Sequence, residues 1–270
     1  MKFSVLMSSY CKDKPDELLL ALRSIWDDQT VKPSEIVIVK DGPLTAELDS
    51  VINHFAQSAP VKIVPLPENR GLGLALAEGI KHCSFDYIAR MDGDDISLPE
   101  RFAKQVAFME QNPDISICGG MIQEFSGSPD NISSKRTLPL SDMEIRKFCK
   151  WRSPFNHVTV MYRKKTVLDA GNYQNFLSYE DYWLWARILQ KGNRAANLPD
   201  ILVNVRAGEN MLKRRRGWRF FTAEIKLAKK LKSIGIINMS EMLRNMLFRA
   251  PARLMPGWLL AWVYNHFCRK

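Results

Sequence analysis

Three features of the sequence predict an α/β fold with a helical C-terminal appendage. Short β-branched and aliphatic runs alternate with helix-period patterns through the first two-thirds of the chain, as stacked βα units do. Several of those runs end in acidic or glycine-bearing turns. After residue 207 the β-type runs stop and basic, helix-period sequence takes over. A chain of 270 residues can bury one large core, or a catalytic unit with a small addition. With 46% hydrophobic and 25% charged residues, disorder is not expected.

Residues 3–8 form the first apolar run, too short for a signal peptide and better read as a strand. Residues 15–28 follow as a helix, with Leu18, Leu22, Ile25 and Trp26 on one face. A second strand, 35–40, ends in the turn signal Asp41-Gly42-Pro43. Residues 61–66 are a third strand, 71–83 a helix opened by glycines, and 85–91 a fourth strand. Ser97-Leu-Pro-Glu100 has the form of a capping box that opens a helix ending at Asn112-Pro113. Residues 115–118 and 158–162 are further strands, and 178–191 is a helix ending at Gly192. Beyond a boundary near residue 210, a helix over 218–232 precedes two more helical stretches. The longest apolar run there, 258–264, is far below the roughly 20 residues that cross a bilayer.

The net charge of +10 is unevenly placed. Residues 211–270 carry fourteen Lys or Arg against two acids, Glu224 and Glu241, so the first 210 residues are slightly acidic. Such asymmetry calls for an anionic partner, either nucleic acid or membrane lipid. The acidic first part lacks the basic, aromatic face of a nucleic-acid groove, so no nucleic-acid partner is expected. Five scattered cysteines without C-x-x-C argue against a disulfide framework or zinc site and fit a reducing cytosol.

Asp92, Asp94 and Asp95 follow the fourth strand, where open α/β sheets place ligands. Three carboxylates within four residues repel one another unless a cation or donors intervene. Mg2+ or Mn2+ typically reaches a protein through one or two carboxylates plus substrate phosphates. The same residues also suit a solvated turn capping the next helix. Asp41 can accept hydrogen bonds from a base or ribose, or merely form the turn before Gly-Pro. Asn69-Arg70-Gly71-Leu72-Gly73 opens a helix whose backbone N–H groups can approach phosphates. The fingerprint G-x-G-x-x-G fails at Leu76 and no G-x-x-x-x-G-K-[ST] occurs, which argues against a dehydrogenase or P-loop ATPase.

Glu180-Asp181 begins a helix, where the dipole keeps a carboxylate ionised as a base toward a hydroxyl; Ser178-x-x-Asp181 equally fits a helix cap. His157, just before a strand, suits either a hydrogen-bonded structural role or a catalytic one. The run Lys213-Arg214-Arg215-Arg216 is a solvated loop or a grip on a diphosphate.

Six segments stand in order over residues 1–208: Ser4-Val-Leu-Met-Ser-Ser-Tyr10, Glu35-Ile-Val-Ile-Val-Lys-Asp41-Gly, Asn69-Arg-Gly-Leu-Gly73, Arg90-Met-Asp92-Gly-Asp94-Asp95 with Pro99-x-Arg101, Pro154-Phe-Asn-His157, and Tyr179-Glu-Asp181-Tyr-x-Leu-Trp185. Together they resemble glycosyltransferase family 2, inverting enzymes of the GT-A fold. The resemblance implies a Rossmann-like nucleotide-sugar-binding domain with a mixed central sheet over 1–210. Its donor half would be about 1–95 and its acceptor half about 96–210, followed by a basic helical region over 211–270.

It further implies that Ser8, Tyr10, Asp41, Asn69, Gly71, Arg90 and Asp92 line the nucleotide pocket of a UDP-sugar. Asp94 and Asp95 would hold Mn2+ or Mg2+ on the diphosphate, and Asp181 would be the catalytic base. His157, Glu180 and Arg206 would serve the acceptor or support the site, and Arg101 would support the acidic loop. The Q-x-x-R-W of processive members is missing after Asp181, so one sugar is transferred per acceptor.

The likeness extends to bacterial enzymes of O-antigen, capsule and exopolysaccharide assembly. It implies a β-linked product on an undecaprenyl-diphosphate saccharide and a cytoplasmic place at the inner face of the inner membrane. Residues 243–267, with Trp258, Trp262 and Tyr264 beside Arg249, Arg253 and Arg269, would lie in the lipid interface or pack on the catalytic unit. A sugar-1-phosphate nucleotidyltransferase, the rival, carries a glycine-rich basic loop after its first strand. Ser8-Ser9-Tyr10-Cys11-Lys12 has no glycine.

Overall fold

The structure, a computed structural model, describes residues 1–207 and 216–255. Its first half alternates strand and helix: β1 (Phe3–Ser9), α1 (Pro15–Trp26), β2 (Glu35–Lys40), α2 (Ala46–Phe55), β3 (Val61–Pro65), α3 (Leu72–His82) and β4 (Tyr87–Arg90). The second half adds β5 (Ile96–Ser97), α4 (Arg101–Gln111), β6 (Ile115–Phe125), β7 (Ile132–Arg136), α5 (Asp142–Cys149), β8 (Met161–Arg163), α6 (Lys164–Asp169), α7 (Glu180–Gln190) and β9 (Arg194–Arg206). Two helices follow, α8 (Trp218–Ser233) and α9 (Met239–Ala252).

All the strands join one mixed sheet of nine, in the order β3-β2-β1-β4-β8-β6-β9-β5, with β7 on β6. The four strands β3-β2-β1-β4 are parallel, and β8 turns the sheet antiparallel on both its sides. Val5, Leu6, Ile36, Val37, Ile38 and Val39 are fully buried because helices cover both faces of the parallel part, which is why these strands are continuously apolar. The chain leaves β1 toward β2 and β3, then returns to place β4 on the other side of β1. That switch point opens a crevice beyond the carboxyl ends of β1, β2 and β4.

The mixed sheet and the expected strands of the first half are present, with ends moved by one or two residues. Other expectations are corrected. The proposed capping box at Ser97 does not form: Ser97 lies in β5, its N–H donates to Ser24 Oγ at 3.0 Å, and α4 begins after Glu100 without a side-chain cap. Ser178 does not cap α7 either, since it sits outside the helix with φ of 55°. Residues 158–162 are not one strand; a 3-10 turn, His157–Thr159, precedes β8. The strand expected over 115–118 runs on to Phe125 through Gly119 and Gly120. A Cβ on Gly120 would lie 2.3 Å from Leu202 Cδ1, so its glycine lets β9 approach rather than ending the strand.

α8 and α9 do not stand apart from the rest. Ala223, Leu227 and Leu231 of α8 share one buried cluster with Tyr182 and Trp183 of α7. Glu224, 4% exposed, accepts the Tyr179 hydroxyl at 2.6 Å and pairs with Arg249 at 3.0 Å and Arg253 at 2.7 Å. Lys213-Arg214-Arg215, the boundary near 210 and the apolar run 258–264 lie outside the described residues. Among the described residues no helix is long and apolar enough to cross a membrane.

Candidate active site

The crevice is floored by the ends of β1, β2 and β4. At β2, Asp41 is buried and its two carboxylate oxygens accept the N–H groups of Arg70 at 2.7 Å and Gly71 at 3.0 Å. Asn69 Nδ2 returns a bond to the Asp41 carbonyl at 3.1 Å. Asp41 therefore shapes the Asn69–Arg70–Gly71 turn and caps the approach to α3, and each of its oxygens keeps a further lone pair for a ligand. Gly71 holds a φ of 83° at the start of α3, a left-handed conformation that glycine adopts without strain. At β1, Ser8 offers its carbonyl beside Gly93, while Tyr10 is exposed and donates its N–H to Asp13 Oδ2 at 3.1 Å.

Beyond β4 the acidic loop rests on two buried arginines. Arg90, 1% exposed, forms a two-pronged pair with Asp92 from below, so it lies under the pocket and not along an open wall. Burial opposes its charge, and the Asp92 carboxylate more than offsets that and holds its pKa above the ordinary value. Arg101 Nη2 donates to the Arg90 carbonyl at 2.7 Å, at the residue that leads into the acidic loop. Burial and the neighbouring Arg90 pull Arg101 down to about 9.

Asp95 is buried and accepts the Arg206 N–H at 2.8 Å; burial, then Asp92 and Asp94, push its carboxyl well up. Asp94 is exposed at the surface of the loop. The protein around its carboxyl, together with Asp92, Asp13 and Glu17, raises it to about 6 against the pull of Arg90. Arg206 also stacks on Phe125 at 4.7 Å and reaches Glu17 at 3.4 Å, tying the end of β9 to α1 and the acidic loop. Asp13 and Glu17 went unnoticed in the sequence. They sit in a mixed-charge stretch, Lys12-Asp13-Lys14-Pro15-Asp16-Glu17, that looks like any solvated loop.

Across the crevice, Asp181 stands in the first turn of α7 and accepts Ser153 Oγ at 3.4 Å. His157 Nε2 shares a hydrogen bond of 2.8 Å with Tyr173 Oη, and its ring packs edge-on against Trp185. Burial, then the nearby Arg90 charge, pushes His157 well below its ordinary value and keeps it neutral. Burial and Tyr162 raise the Tyr173 phenol, and the Asp181 charge adds to that shift, which places Asp181, Tyr173 and His157 in one neighbourhood. The starts of α3 and α7 meet: a Cβ on Gly73 would lie 3.0 Å from Glu180 Cβ. The Asp41-bound turn and the start of α7 are thus drawn together by one helix–helix contact. Ser153 and Tyr173 carry no sequence signal of their own.

Among the described residues no three or more His, Cys, Asp or Glu are gathered into a metal cage. The residues present nonetheless fit a divalent cation that keeps most of its ligands from phosphate and water. Asp92 is occupied by Arg90, and Asp94 and the second oxygen of Asp95 are left for an ion. Burial first, and then the repulsion among Asp92, Asp94 and Asp95, raises Asp94 and Asp95, and an added cation would relieve the repulsion.

A mixed sheet of this order, with an acidic loop after β4, is the arrangement of the GT-A class. Residues 4–171 match the sequence profile of Glycosyl transferase family 2, and the chain belongs to that family of glycosyltransferases. It is 43% identical to the amylovoran biosynthesis glycosyltransferase AmsE of Erwinia amylovora, over 97% of this chain and 98% of that one. It is 36% identical to the UDP-Gal:alpha-D-GlcNAc-diphosphoundecaprenol beta-1,3-galactosyltransferase of Escherichia coli, over 100% and 97%.

Among solved structures, S. aureus TarS 1-349 in complex with UDP-GlcNAc superposes with a TM-score of 0.66 at 18% identity, covering 91% of this chain and 70% of that one. The mannosyltransferase PcManGT of Pyrobaculum calidifontis, in complex with GDP-Man and Mn2+, superposes with a TM-score of 0.62 at 16% identity, covering 98% and 75%. At such identities the structures share the fold.

Proposed function

We propose that this enzyme moves a single sugar from a UDP-sugar to a hydroxyl of a lipid-diphosphate-linked saccharide in bacterial surface-glycan assembly, forming a β-linkage. Two contacts carry the proposal: the helix start that follows the Asp41-bound turn meets Glu180 beside Asp181, and Arg90, which holds Asp92 of the acidic loop, donates its N–H to Val160 in the segment after His157. The relatives support the choice of donor and acceptor: one acts, by its name, with UDP-Gal on a GlcNAc-diphosphoundecaprenol, and another in amylovoran biosynthesis. In this reading residues 1–95 hold the donor, 96–210 serve the acceptor, and 211–270 face the inner side of the inner membrane from the cytoplasm.

Asp41, Asn69, Gly71, Ser8, Tyr10 and Asp92 receive the nucleotide, with Arg90 holding Asp92 from beneath. A Mn2+ or Mg2+ ion on Asp94 and Asp95 would supply charge to offset that developing on the leaving diphosphate. Asp181, whose orientation Ser153 helps fix, takes the proton of the acceptor hydroxyl as that oxygen attacks the anomeric carbon from the face opposite the diphosphate. One displacement inverts the centre, so an α-linked donor gives a β-product. Holding both substrates in one crevice removes the entropic cost of their encounter. His157, Glu180 and Arg206 serve as support, His157 as a neutral partner of Tyr173.

The test is UDP release over a panel of nucleotide sugars with Mn2+ or Mg2+, with and without a synthetic sugar-diphospho-lipid. Release that depends on one UDP-sugar and rises with the lipid acceptor is expected. Release of pyrophosphate from UTP and a sugar phosphate, or no response to any UDP-sugar, would overturn the reading.

A further inference from the structure

A helix on a protein surface in water turns its apolar stripe inward and its charges outward. α9 departs from this pattern. Its inward side carries Glu241, Asn245 and Arg249 beside Met242 and Ala250. Lys150 Nζ donates to Glu241 at 3.0 Å, Asn245 Nδ2 donates to the Lys150 carbonyl at 2.9 Å, and Arg249 pairs with Glu224 at 3.0 Å while donating to the Trp151 carbonyl. Its outward side carries Leu243, Leu247 and Phe248, which are 57%, 68% and 62% exposed. At helical spacing these three, with exposed Arg244 between them, share one arc. Gly217 N–H donates to the Arg253 carbonyl at 2.9 Å, which sets the end of α9 against the start of α8. There Trp218 is 70% exposed, and Leu254, the residue after Arg253, is 40% exposed.

The charge on these two helices is equally one-sided. Between residues 216 and 255 the acids are Glu224 and Glu241, and both are spent in ion pairs. Arg219, Lys229, Lys232 and Arg244 are exposed. The helical pair therefore presents apolar side chains, an outward tryptophan and cations, with no carboxylate free to repel a negative surface. Hydrocarbon beneath anionic headgroups matches that pattern; water does not.

The geometry points to the outward arc of α9, together with Trp218, as the face that seats this enzyme on a bilayer of anionic phospholipid. The inference deepens the proposed use of a lipid-linked acceptor and rests on it for the reason an enzyme of this kind must reach a membrane. A second copy of the chain would be the other occupant.

Flotation of the full-length protein with phosphatidylethanolamine vesicles containing about one-third phosphatidylglycerol, and with neutral phosphatidylcholine vesicles, decides among them. The wild type is expected with the anionic vesicles. L247E/F248E is expected to bind at least about ten-fold less, with unchanged circular dichroism and unchanged UDP release on a water-soluble acceptor. A wild type that stays in the soluble fraction, or a variant that floats as well as the wild type, overturns the inference. A wild-type dimer that L247E/F248E converts to a monomer, with no vesicle binding by either, assigns the face to a second copy instead. Vesicle binding without sugar transfer to any lipid-linked acceptor refutes the proposed function and leaves the docking face standing. Transfer to such an acceptor without vesicle binding does the opposite.

Discussion

Glu224→Gln tests whether the C-terminal helices hold the catalytic helix in place. The carboxylate is the shared counter-ion of Arg249 and Arg253 and accepts the hydroxyl of Tyr179, the residue just before Glu180-Asp181. Glutamine keeps the shape and one acceptor but removes the charge, leaving two guanidinium groups short of a partner. Breaking a fully buried pair costs about 3–5 kcal/mol, and the arginines here retain some solvent, so about 3 kcal/mol is expected. For a chain of this size that is a fall of roughly 6–10 °C in melting temperature at neutral pH.

The loss depends on pH. Burial works to raise the Glu224 carboxyl, Arg249 and Arg253 outweigh it, and the folded pKa lies below the ordinary 4.5. The charge therefore stabilises the fold fully above about pH 4.5, and that stabilisation drains away as pH falls through the folded value. Thermal melts of both proteins should differ by a constant amount from pH 8 to about pH 5.5 and converge in more acid solution. Because Tyr179 leads into Asp181, turnover in the variant should also fall by about ten-fold through a misplaced base, with UDP affinity kept. A variant that melts within about 1 °C of the wild type at pH 7 would show that the pairs contribute nothing net.

Three further outcomes bear on the crevice. Asp181→Asn should abolish transfer while leaving UDP binding by calorimetry nearly intact, and wild-type turnover in that variant would remove Asp181 from the role of base. Asp94→Asn should lower transfer by about 10–100-fold and raise the Mn2+ concentration needed for half-maximal rate; unchanged metal dependence would place the ion elsewhere. Gly73→Ala, whose Cβ would meet Glu180 Cβ and the Gln174 carbonyl at 3.0 Å, should cost about 1–3 kcal/mol in a denaturant melt and reduce transfer; neither effect would mean that the two helix starts part easily.

How far the sequence could be read depended on where each signal lay. Asp41 and the acidic loop were legible because each follows a strand buried on both faces, and such strands are continuous apolar runs that end abruptly. β9 was not, although it is a 13-residue strand, because Pro199 and Asp200 interrupt its pattern. The sheet absorbs that interruption as register shifts against β6 around Gly119 and Met121. α2 was passed over although Leu48, Ile52 and Phe55 share its buried face and Thr45 caps it at 3.3 Å. Asp13, Ser153 and Tyr173 reach the crevice only through the fold. The resemblance alone put Arg90 along the nucleotide pocket; its side chain is buried and pairs with Asp92, which sequence spacing does not reveal.

The two halves of the site belong to different parts of the sheet. The proposed donor groups sit at the ends of β1, β2 and β4, while Asp181 and His157 lie on the chain that flanks the antiparallel β8. Their separation is not set by a continuous strand but by two junctions. One is the β4–β8 pairing, extended by the Arg90 N–H on the Val160 carbonyl at 2.9 Å, which holds the acidic loop to the segment after His157. The other is the bare backbone of Gly73 against Glu180. A glycine in the first turn of a helix costs about 1 kcal/mol of helix stability relative to alanine, and here it allows two helix starts to touch where any side chain would hold them apart. In the proposed mechanism the spacing between leaving group and base is therefore a packing distance, and changes at Gly73 should act on turnover before they act on either substrate's affinity.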